Sequence, residues 1–534
     1  MLGSLPASSY DTPWFIEAFT GETYTAGYVK KRTDALATGL QQRLDLSVLV
    51  RKEEFSVRPF TLGPVIAIVS PNDIDFASCV WASHRIGCTV APCSASSTVD
   101  ELIHQFRLSR TTAIFAHPST LDRVLEAAHS LGIPHSKVVV LARGTLKDLG
   151  PGVSLYTIDD LIGIGNEAMA RGIQIVPPRP IPSGRSVALL CFSSGTTGSP
   201  KAVIVPHSAV IANILQVTAS AIPGANSPPG DKALGVLPSS HLFGLLTLLL
   251  VCPYLGIASV LFSSMPPFER FLDIIESLRV NHLFLAPPLV NAFLKHPAAA
   301  GRHFDYFKTC IVAAARWMLI ESGPSFLLSQ GFGMTETVLC TSLLEGAEPC
   351  SGSIGRFLPG IEYKVVDSNN NPVSGGSRGE LLIRGPQLCC GYLDNEAANA
   401  STFDSDGFVR TGDEVEIRPN GDIFVVDRLK NIIKHKGFQV SPAELEGHLL
   451  LHHFVEDVGV VGKPDDRAGE TPVAFVVLTK AGNEAAERNA ASVKEQIMWH
   501  VRASKSQYKW LGDVYFIASI PKLPSGKILM RELK

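Results

Sequence analysis

Val187-Ala188-Leu189-Leu190-Cys191-Phe192 runs straight into Ser193-Ser194-Gly195-Thr196-Thr197-Gly198-Ser199-Pro200-Lys201, and this junction decides the reading of the chain. The apolar run is a buried strand by its length and composition. The glycines let the backbone turn tightly and expose its N–H groups, while serine and threonine hydroxyls and a lysine add donors and positive charge. Such a loop is a cradle for phosphate oxyanions. It is not the common P-loop, which needs Gly-Lys-Ser/Thr after four intervening residues and then a helix. Pro200 forbids an immediate helix, and Lys201-Ala202-Val203-Ile204-Val205 reads as more strand. A flexible Ser/Gly linker would not be framed in this way.

Outward from the loop, strand and helix patterns alternate over roughly the first 420 residues. Val65–Val69 is a strand, and apolar positions from Ile74 to Trp81 recur at helical spacing. Strand Cys88–Pro92, helix Val99–Ser109, strand Thr112–Phe115, helix Leu121–Ser130 and strand Lys137–Leu141 follow. Repeated βαβ units predict parallel sheets with helices on both faces. Beyond Asn370 the texture changes to turns and short strands: Gly379–Arg384, Phe408–Val409, Glu414–Arg418 and Ile423–Val426. Asp413 follows Thr411-Gly412 in an expected turn. From Asn431 onward a compact α+β pattern appears, with strands at Val458–Gly462 and Val473–Thr479 and an amphipathic helix at Ala490–Ser504. The predicted fold class is α/β. A large domain of parallel-rich sheets, with a small β-barrel-like part, spans 1–426; a hinge spans 427–430; a small mobile α+β domain spans 431–534.

With 534 residues the chain is too long for one core. A hydrophobic content of 46% and a charged content of 18% suit large buried sheets, and a net charge of -3 gives no footprint for nucleic acid or an anionic membrane. The 10 cysteines are scattered without CxxC pairs, so free thiols in an intracellular protein are expected rather than a zinc site or disulfide framework. Residues 1–20 lack a secretory pattern, and Arg531-Glu532-Leu533-Lys534 is no peroxisomal address, so the expected location is cytoplasmic. Leu242–Phe262 is apolar enough to span a bilayer. Its internal Gly244, Pro253 and Gly256 and its lack of flanking basic clusters favour a buried helix, a turn at Pro253 and a buried strand, with no stable membrane insertion. Gly375-Gly376-Ser377-Arg378-Gly379 fits a nucleophile elbow in letters only, because a polar loop precedes it and a strand follows.

Four further segments follow the phosphate loop in order. They are Pro238-Ser239-Ser240-His241-Leu242-Phe243-Gly244-Leu245; Gln330-Gly331-Phe332-Gly333-Met334-Thr335-Glu336-Thr337; Arg410-Thr411-Gly412-Asp413, leading to Asp427–Gly437 and Pro442-Ala443-Glu444-Leu445-Glu446; and Pro521-Lys522-Leu523-Pro524-Ser525-Gly526-Lys527. Together these segments resemble the acyl-adenylate-forming (AMP-binding) superfamily of acyl-CoA synthetases, 4-coumarate–CoA ligases, luciferases and peptide-synthetase adenylation domains. The resemblance covers nearly the whole chain and looks most like a stand-alone 4-coumarate–CoA-ligase-type enzyme.

The resemblance implies a role for each segment. Ser193, Ser194, Gly195, Thr196, Thr197, Gly198 and Lys201 would hold the β- and γ-phosphates of ATP. Gly331, Gly333 and Met334 would let adenine approach, with Phe332 as a stacking face; a core aromatic is the alternative for Phe332. Thr335 would donate to the α-phosphate, and Glu336 is a hard oxygen ligand suited to Mg²⁺. Asp413 would accept the ribose hydroxyls, a plain Asx-turn being the alternative, and Arg428 would reach the ribose or phosphate side. Lys527 is the expected catalytic cation, bridging carboxylate and α-phosphate in the transition state. Lys430 would be the hinge, and Lys436 and Gly437 would face coenzyme A; a solvated basic face is the other reading of Lys436. His241 either lines the acyl pocket or is a satisfied core histidine.

These assignments imply an ATP-dependent ligase that converts an aromatic or medium-chain fatty acid to acyl-AMP and passes it to coenzyme A. Loading of a separate carrier protein shares the first step. A catalytically impaired nucleotide- or acyl-binding homologue is the rival. It is motivated by Ala313-Ala314-Ala315-Arg316 and the short Trp317–Leu328 stretch, where the family has a small-residue loop and a full helix.

Overall fold

The computed structural model describes residues 9–44, 46, 51–53, 59–143, 155–173, 186–193, 200–220, 230–286, 289–290, 292–293, 296–313, 327–342, 350, 352–373, 375–429, 431–435, 438–465, 468–522 and 528–533. The strand Val65–Ser70 is buried along its whole length, as a central parallel strand covered on both faces must be. It pairs in parallel with Thr89–Ser94 and Thr111–Ala116. Val138–Val140 and Tyr156–Thr157 extend one side. Val187–Ser193 pairs in parallel with Thr89–Ser94 on the other side, and Lys201–Pro206 closes that edge antiparallel. The helix Val99–Ser109 begins where Thr98 and Glu101 form a capping box and ends at Arg110 in the left-handed region.

The second large sheet runs, in spatial order, Arg356–Phe357, Val338–Ser342, Leu327–Met334, Thr309–Ala313, His282–Leu285, Lys232–Gly235, Ala258–Leu261, Pro13–Glu17 and Thr23–Thr25. Its middle is parallel. The C-terminal ends of those strands therefore share one edge, where open α/β sheets place their ligands. Asn72, just past Val65–Ser70, ties the two sheets together at that edge. Its Nδ2 donates to Gly235 O at 2.9 Å and Leu237 O at 3.0 Å, and its Oδ1 accepts from Ser239 N at 2.7 Å. The main apolar core draws on both sheets, including Phe15, Leu36, Ile68, Phe76, Leu245 and Ile311.

Several elements depart from expectation. Leu242–Phe262 does not turn at Pro253. Helix Leu242–Leu246, a π-helical turn Thr247–Val251 and helix Cys252–Leu255 follow without a break, so Pro253 lies inside a continuous helix and withholds one hydrogen bond from the turn before it; strand Ala258–Leu261 comes after. The expected turn at Asp413 is instead the middle of one strand, Val409–Ile417. The pairing shifts between Leu382↔Arg410 and Glu380↔Glu414, and Gly412, at φ +69, lies inside that irregularity. The part expected to be barrel-like is, among the described residues, an open antiparallel sheet of Glu362–Val366, Gly379–Arg384, Val409–Ile417 and Ile423–Arg428. Asp427 and Arg428, placed in the hinge from sequence, are its last strand residues.

The C-terminal part pairs Val455–Asp465 with Gly469–Leu478 antiparallel, and Asp513–Phe516 joins in parallel. Its long helix is Lys480–Ser504, ten residues longer at the start than expected, with a kink at Asn489. No described helix is long and apolar enough to cross a membrane. All ten cysteines are free, and all but Cys350 are buried.

Candidate active site

The expected phosphate loop is flanked by two paired strands. Ser193, at the end of Val187–Ser193, is the register partner of Lys201, the first residue of Lys201–Pro206. Ser194, Gly195, Thr196, Thr197 and Gly198 lie outside the described residues, as do Lys430, Lys436, Gly437, Lys527 and most of Trp317–Leu328.

The Gly331–Thr337 segment is a hairpin tip. Strand Leu327–Met334 turns through Thr335-Glu336-Thr337 into Val338–Ser342, with Met334 opposite Val338. Thr337 closes the turn: its N donates to Met334 O at 3.1 Å, and its Oγ1 accepts from Met334 N at 3.2 Å. Val338 sits at φ +56, which costs a β-branched residue about 1–3 kcal/mol and is found where a site needs a fixed shape. The two glycines have different jobs. A Cβ on Gly333 would meet Val338 O at 2.0 Å, so the hairpin itself demands glycine there. A Cβ on Gly331 would meet Ile311, Leu339 and Thr341 O at ordinary contact distance, 3.5 Å, so packing does not demand glycine there. Phe332 is half-buried against the main core, so the core-aromatic reading holds for part of its ring.

Glu336 is buried at 5% exposure. Its Oε1 accepts from Tyr392 Oη at 2.7 Å, and Lys201 Nζ stands 4.9 Å from the centre of the Tyr392 ring. Burial, then the Glu336 charge, drives the Tyr392 hydroxyl well above its ordinary pKa, so it stays a donor. Burial, then the Glu336 charge, pushes the Cys191 thiol up to about 12. Residues 390–393 are stitched along Lys201–Pro206: Cys390 N to Ile204 O at 2.8 Å, Ile204 N to Gly391 O at 2.9 Å and Leu393 N to Ala202 O at 2.9 Å. Asn399 Oδ1 holds Tyr392 N at 2.7 Å. Sequence reasoning missed Tyr392; the only signal was the unexplained apolar run Leu388-Cys389-Cys390-Gly391-Tyr392 in a polar region.

Asp413 is buried and lies opposite Arg428 in the sheet, with Arg428 Nε 3.2 Å from Asp413 Oδ1. Asp413 N is held by Thr411 Oγ1 at 3.1 Å. At the first residue of the expected hinge, Asp427 Oδ2 accepts from Ser441 Oγ and from Ala443 N, at the start of helix Pro442–Leu449. His241 is exposed at the N-cap of Leu242–Leu246, whereas Phe243, two residues on, lines an apolar cavity.

The structure thus shows a buried carboxylate at a hairpin tip, a second buried carboxylate paired to an arginine, and two paired strands at the ends of the Ser193–Lys201 segment. Residues 7–393 match the AMP-binding enzyme family, and residues 444–527 match the AMP-binding enzyme C-terminal domain. This chain belongs to the AMP-binding enzyme family. It is 34% identical to the acyl-CoA ligase AKT1 of Alternaria alternata over 99% of this chain and 91% of that one. It is 34% identical to 4-coumarate–CoA ligase 3 of Arabidopsis thaliana, over 99% and 89%. Its enzyme class is that of the AMP-forming acyl-CoA ligases, which use ATP and coenzyme A. The fold is that of ATP-bound MatB from Rhodopseudomonas palustris, with a TM-score of 0.81 at 20% identity over 100% of this chain and 97% of that one. The anthranilate CoA ligase AuaEII in complex with anthranoyl-AMP superposes with a TM-score of 0.81 at 20% identity, over 100% and 98%.

Proposed function

We propose that this enzyme activates an aromatic or medium-chain carboxylic acid in two half-reactions. The acid's carboxylate oxygen attacks the α-phosphorus of ATP; the bond to the β-phosphate oxygen breaks, giving acyl-AMP and pyrophosphate. The coenzyme A thiolate then attacks the acyl carbon and expels AMP. The Glu336–Tyr392–Lys201 arrangement carries this reading, because it joins the hairpin tip to the root of the phosphate loop.

In this scheme the Ser193–Lys201 loop holds the β- and γ-phosphates and Thr335 donates to the α-phosphate. Gly331, Phe332, Gly333 and Met334 border adenine. Asp413 accepts the ribose hydroxyls while Arg428 fixes its carboxylate and reaches toward the phosphates. Lys527 bridges the carboxylate and α-phosphate as charge builds between them. After acyl-AMP forms, the small domain turns about Lys430 and brings Lys436 and Gly437 to face coenzyme A.

Glu336 also fits Mg²⁺. Among the described residues no group of three or more His, Cys, Asp or Glu could hold a metal, so Glu336 would share the ion with phosphate oxygens and water, the usual habit of Mg²⁺. Bound there, Mg²⁺ would neutralise phosphate charge.

Acid-dependent exchange of labelled pyrophosphate into ATP, followed by coenzyme A-dependent thioester formation, tests the reading. No exchange with any acid of a broad panel would refute it. Exchange without thioester would move the acceptor to a carrier protein.

A further inference from the structure

Helix Val99–Ser109 packs against the strand that leaves the expected phosphate loop. Its buried Leu102 and Phe106, four apart and so on one face, share an apolar core with Ala202 and Ile204 of Lys201–Pro206 and with Cys390 and Leu393 of the stretch stitched to that strand. The Thr98–Glu101 capping box fixes where the helix starts. Just past its other end, Arg110 Nη2 donates to both carboxylate oxygens of Asp394, at 3.0 and 2.8 Å. That pair lies open to solvent, so it adds little.

A contact from the middle of the helix bears more weight. The pairing of the two loop strands ends at Ser193↔Lys201, and Pro200 is one residue beyond it. The half-buried His104 supplies a donor there, with Nε2 3.1 Å from Pro200 O. A carbonyl can only accept, so Nε2 carries the proton. The pyrrolidine ring holds φ of Pro200 at about −65°. The peptide unit is planar, so a hydrogen bond that fixes the Pro200 carbonyl also fixes the direction in which the chain enters Lys201. Both soft rotations of Pro200 are thereby restrained. Lys201 in turn stands with Nζ 4.9 Å from the centre of the Tyr392 ring, whose hydroxyl donates to Glu336.

We propose that His104 is a positioning residue for the triphosphate grip: it holds the Pro200 carbonyl and thereby aims Lys201, a role that rests on the reading of Ser193–Lys201 as the holder of the β- and γ-phosphates. ATP should therefore feel the loss of the His104 donor. AMP, which lacks those two phosphates, should not. A histidine that only packs would be replaced without loss by another ring of similar size, and would be missed equally by both nucleotides.

Calorimetric binding of ATP and of AMP, with a melting curve for each protein, tests this on two opposed variants. His104→Phe keeps a ring and removes the donor; His104→Gln loses the ring and keeps an N–H donor. On the scale of one neutral hydrogen bond, His104→Phe should weaken ATP about 3- to 10-fold and leave AMP within about twofold. His104→Gln should bind ATP within about twofold of the unaltered protein. His104→Ala takes the place of the phenylalanine variant if that one does not fold. Lys201→Ala reports on the underlying reading: losing a charged contact should weaken ATP about 10- to 100-fold and again spare AMP. ATP affinity unmoved in the folded His104→Phe or His104→Ala protein, while Lys201→Ala loses it, would overturn the role of His104 and leave the loop reading standing. ATP and AMP weakened alike in the His104 variants would make the residue a general prop of the fold and overturn the proposal. Loss in His104→Gln as deep as in His104→Phe would do the same. ATP affinity unmoved in Lys201→Ala would sink the loop reading, and the proposal with it.

Discussion

Tyr392 Oη donates to Glu336 Oε1 at 2.7 Å, across 56 residues of sequence. The contact fixes a buried carboxylate from the side that faces Lys201, so the tyrosine orients the hairpin tip with respect to the phosphate loop. Removing one hydroxyl isolates that effect. Tyr392→Phe keeps the ring and its contact with Lys201 but leaves Glu336 without this donor. A hydrogen bond to a charged group is worth about 1.5–3 kcal/mol. The exchange rate should therefore fall about 10- to 100-fold, with KM for the acid nearly unchanged. An unaltered rate would show that the tyrosine only packs.

Lys527→Ala should slow acyl-AMP formation by about 10²–10³, the scale for losing one transition-state donor. Thioester formation from pre-made acyl-AMP should suffer much less, because the small domain has turned by then. Single-turnover measurement of each half-reaction decides it. Equal loss in both would refute the alternation of domains.

Asp413→Ala should weaken ATP, costing about 1.5–3 kcal/mol for each charge-assisted bond to ribose. Arg428 also loses its 3.2 Å partner, so KM for ATP should rise while the fold persists. Equilibrium binding of ATP together with a melting curve is the check. Unchanged ATP affinity would reduce Asp413 to an element of its sheet.

Stability should depend on pH through a histidine pair in the large domain. The His84 and His207 rings lie 4.6 Å apart, and His84 Nε2 is 2.9 Å from Ala188 O. Burial, then the facing His207, lowers His84 to about 3, and burial lowers His207 to about 4. The unfolded chain protonates both near the ordinary 6.5. Below that pH the unfolded state binds more protons, so the contribution is full above about 6.5 and is lost as pH falls toward 4 and 3. Melting temperature should drop between pH 7 and 5, and His207→Gln should flatten the drop. Parallel curves for the two proteins would exclude the pair as the cause.

How much could be read in advance followed the range of the forces involved. Helices Val99–Ser109 and Leu121–Ser130 fall on the expected residues because their apolar spacing, and the Thr98–Glu101 capping box of the first, are local. Val409–Ile417 was split in two because Thr411-Gly412 looks like a turn, and only pairing to Gly379–Arg384 and Ile423–Arg428 makes it continuous. Glu336 and Asp413 stand out by motif, and the structure buries both carboxylates. Tyr392 does not stand out, since its meaning lies in a partner far along the chain. The same holds for the apolar cavity beside Phe243, whose walls Val217, Phe243, Val251, Phe284, Ile311 and Leu339 come from six separate elements.

The Ser193–Lys201 register pair and the stitching of residues 390–393 to the next strand belong to one sheet, whereas the cavity walls come from the other sheet and its helices, with helix His207–Ala219 adding Val217. The loop hairpin and residues 390–393 are thus one hydrogen-bonded unit drawn from two distant stretches of chain, so laboratory recombination with a relative should work best when its crossovers keep both from the same parent.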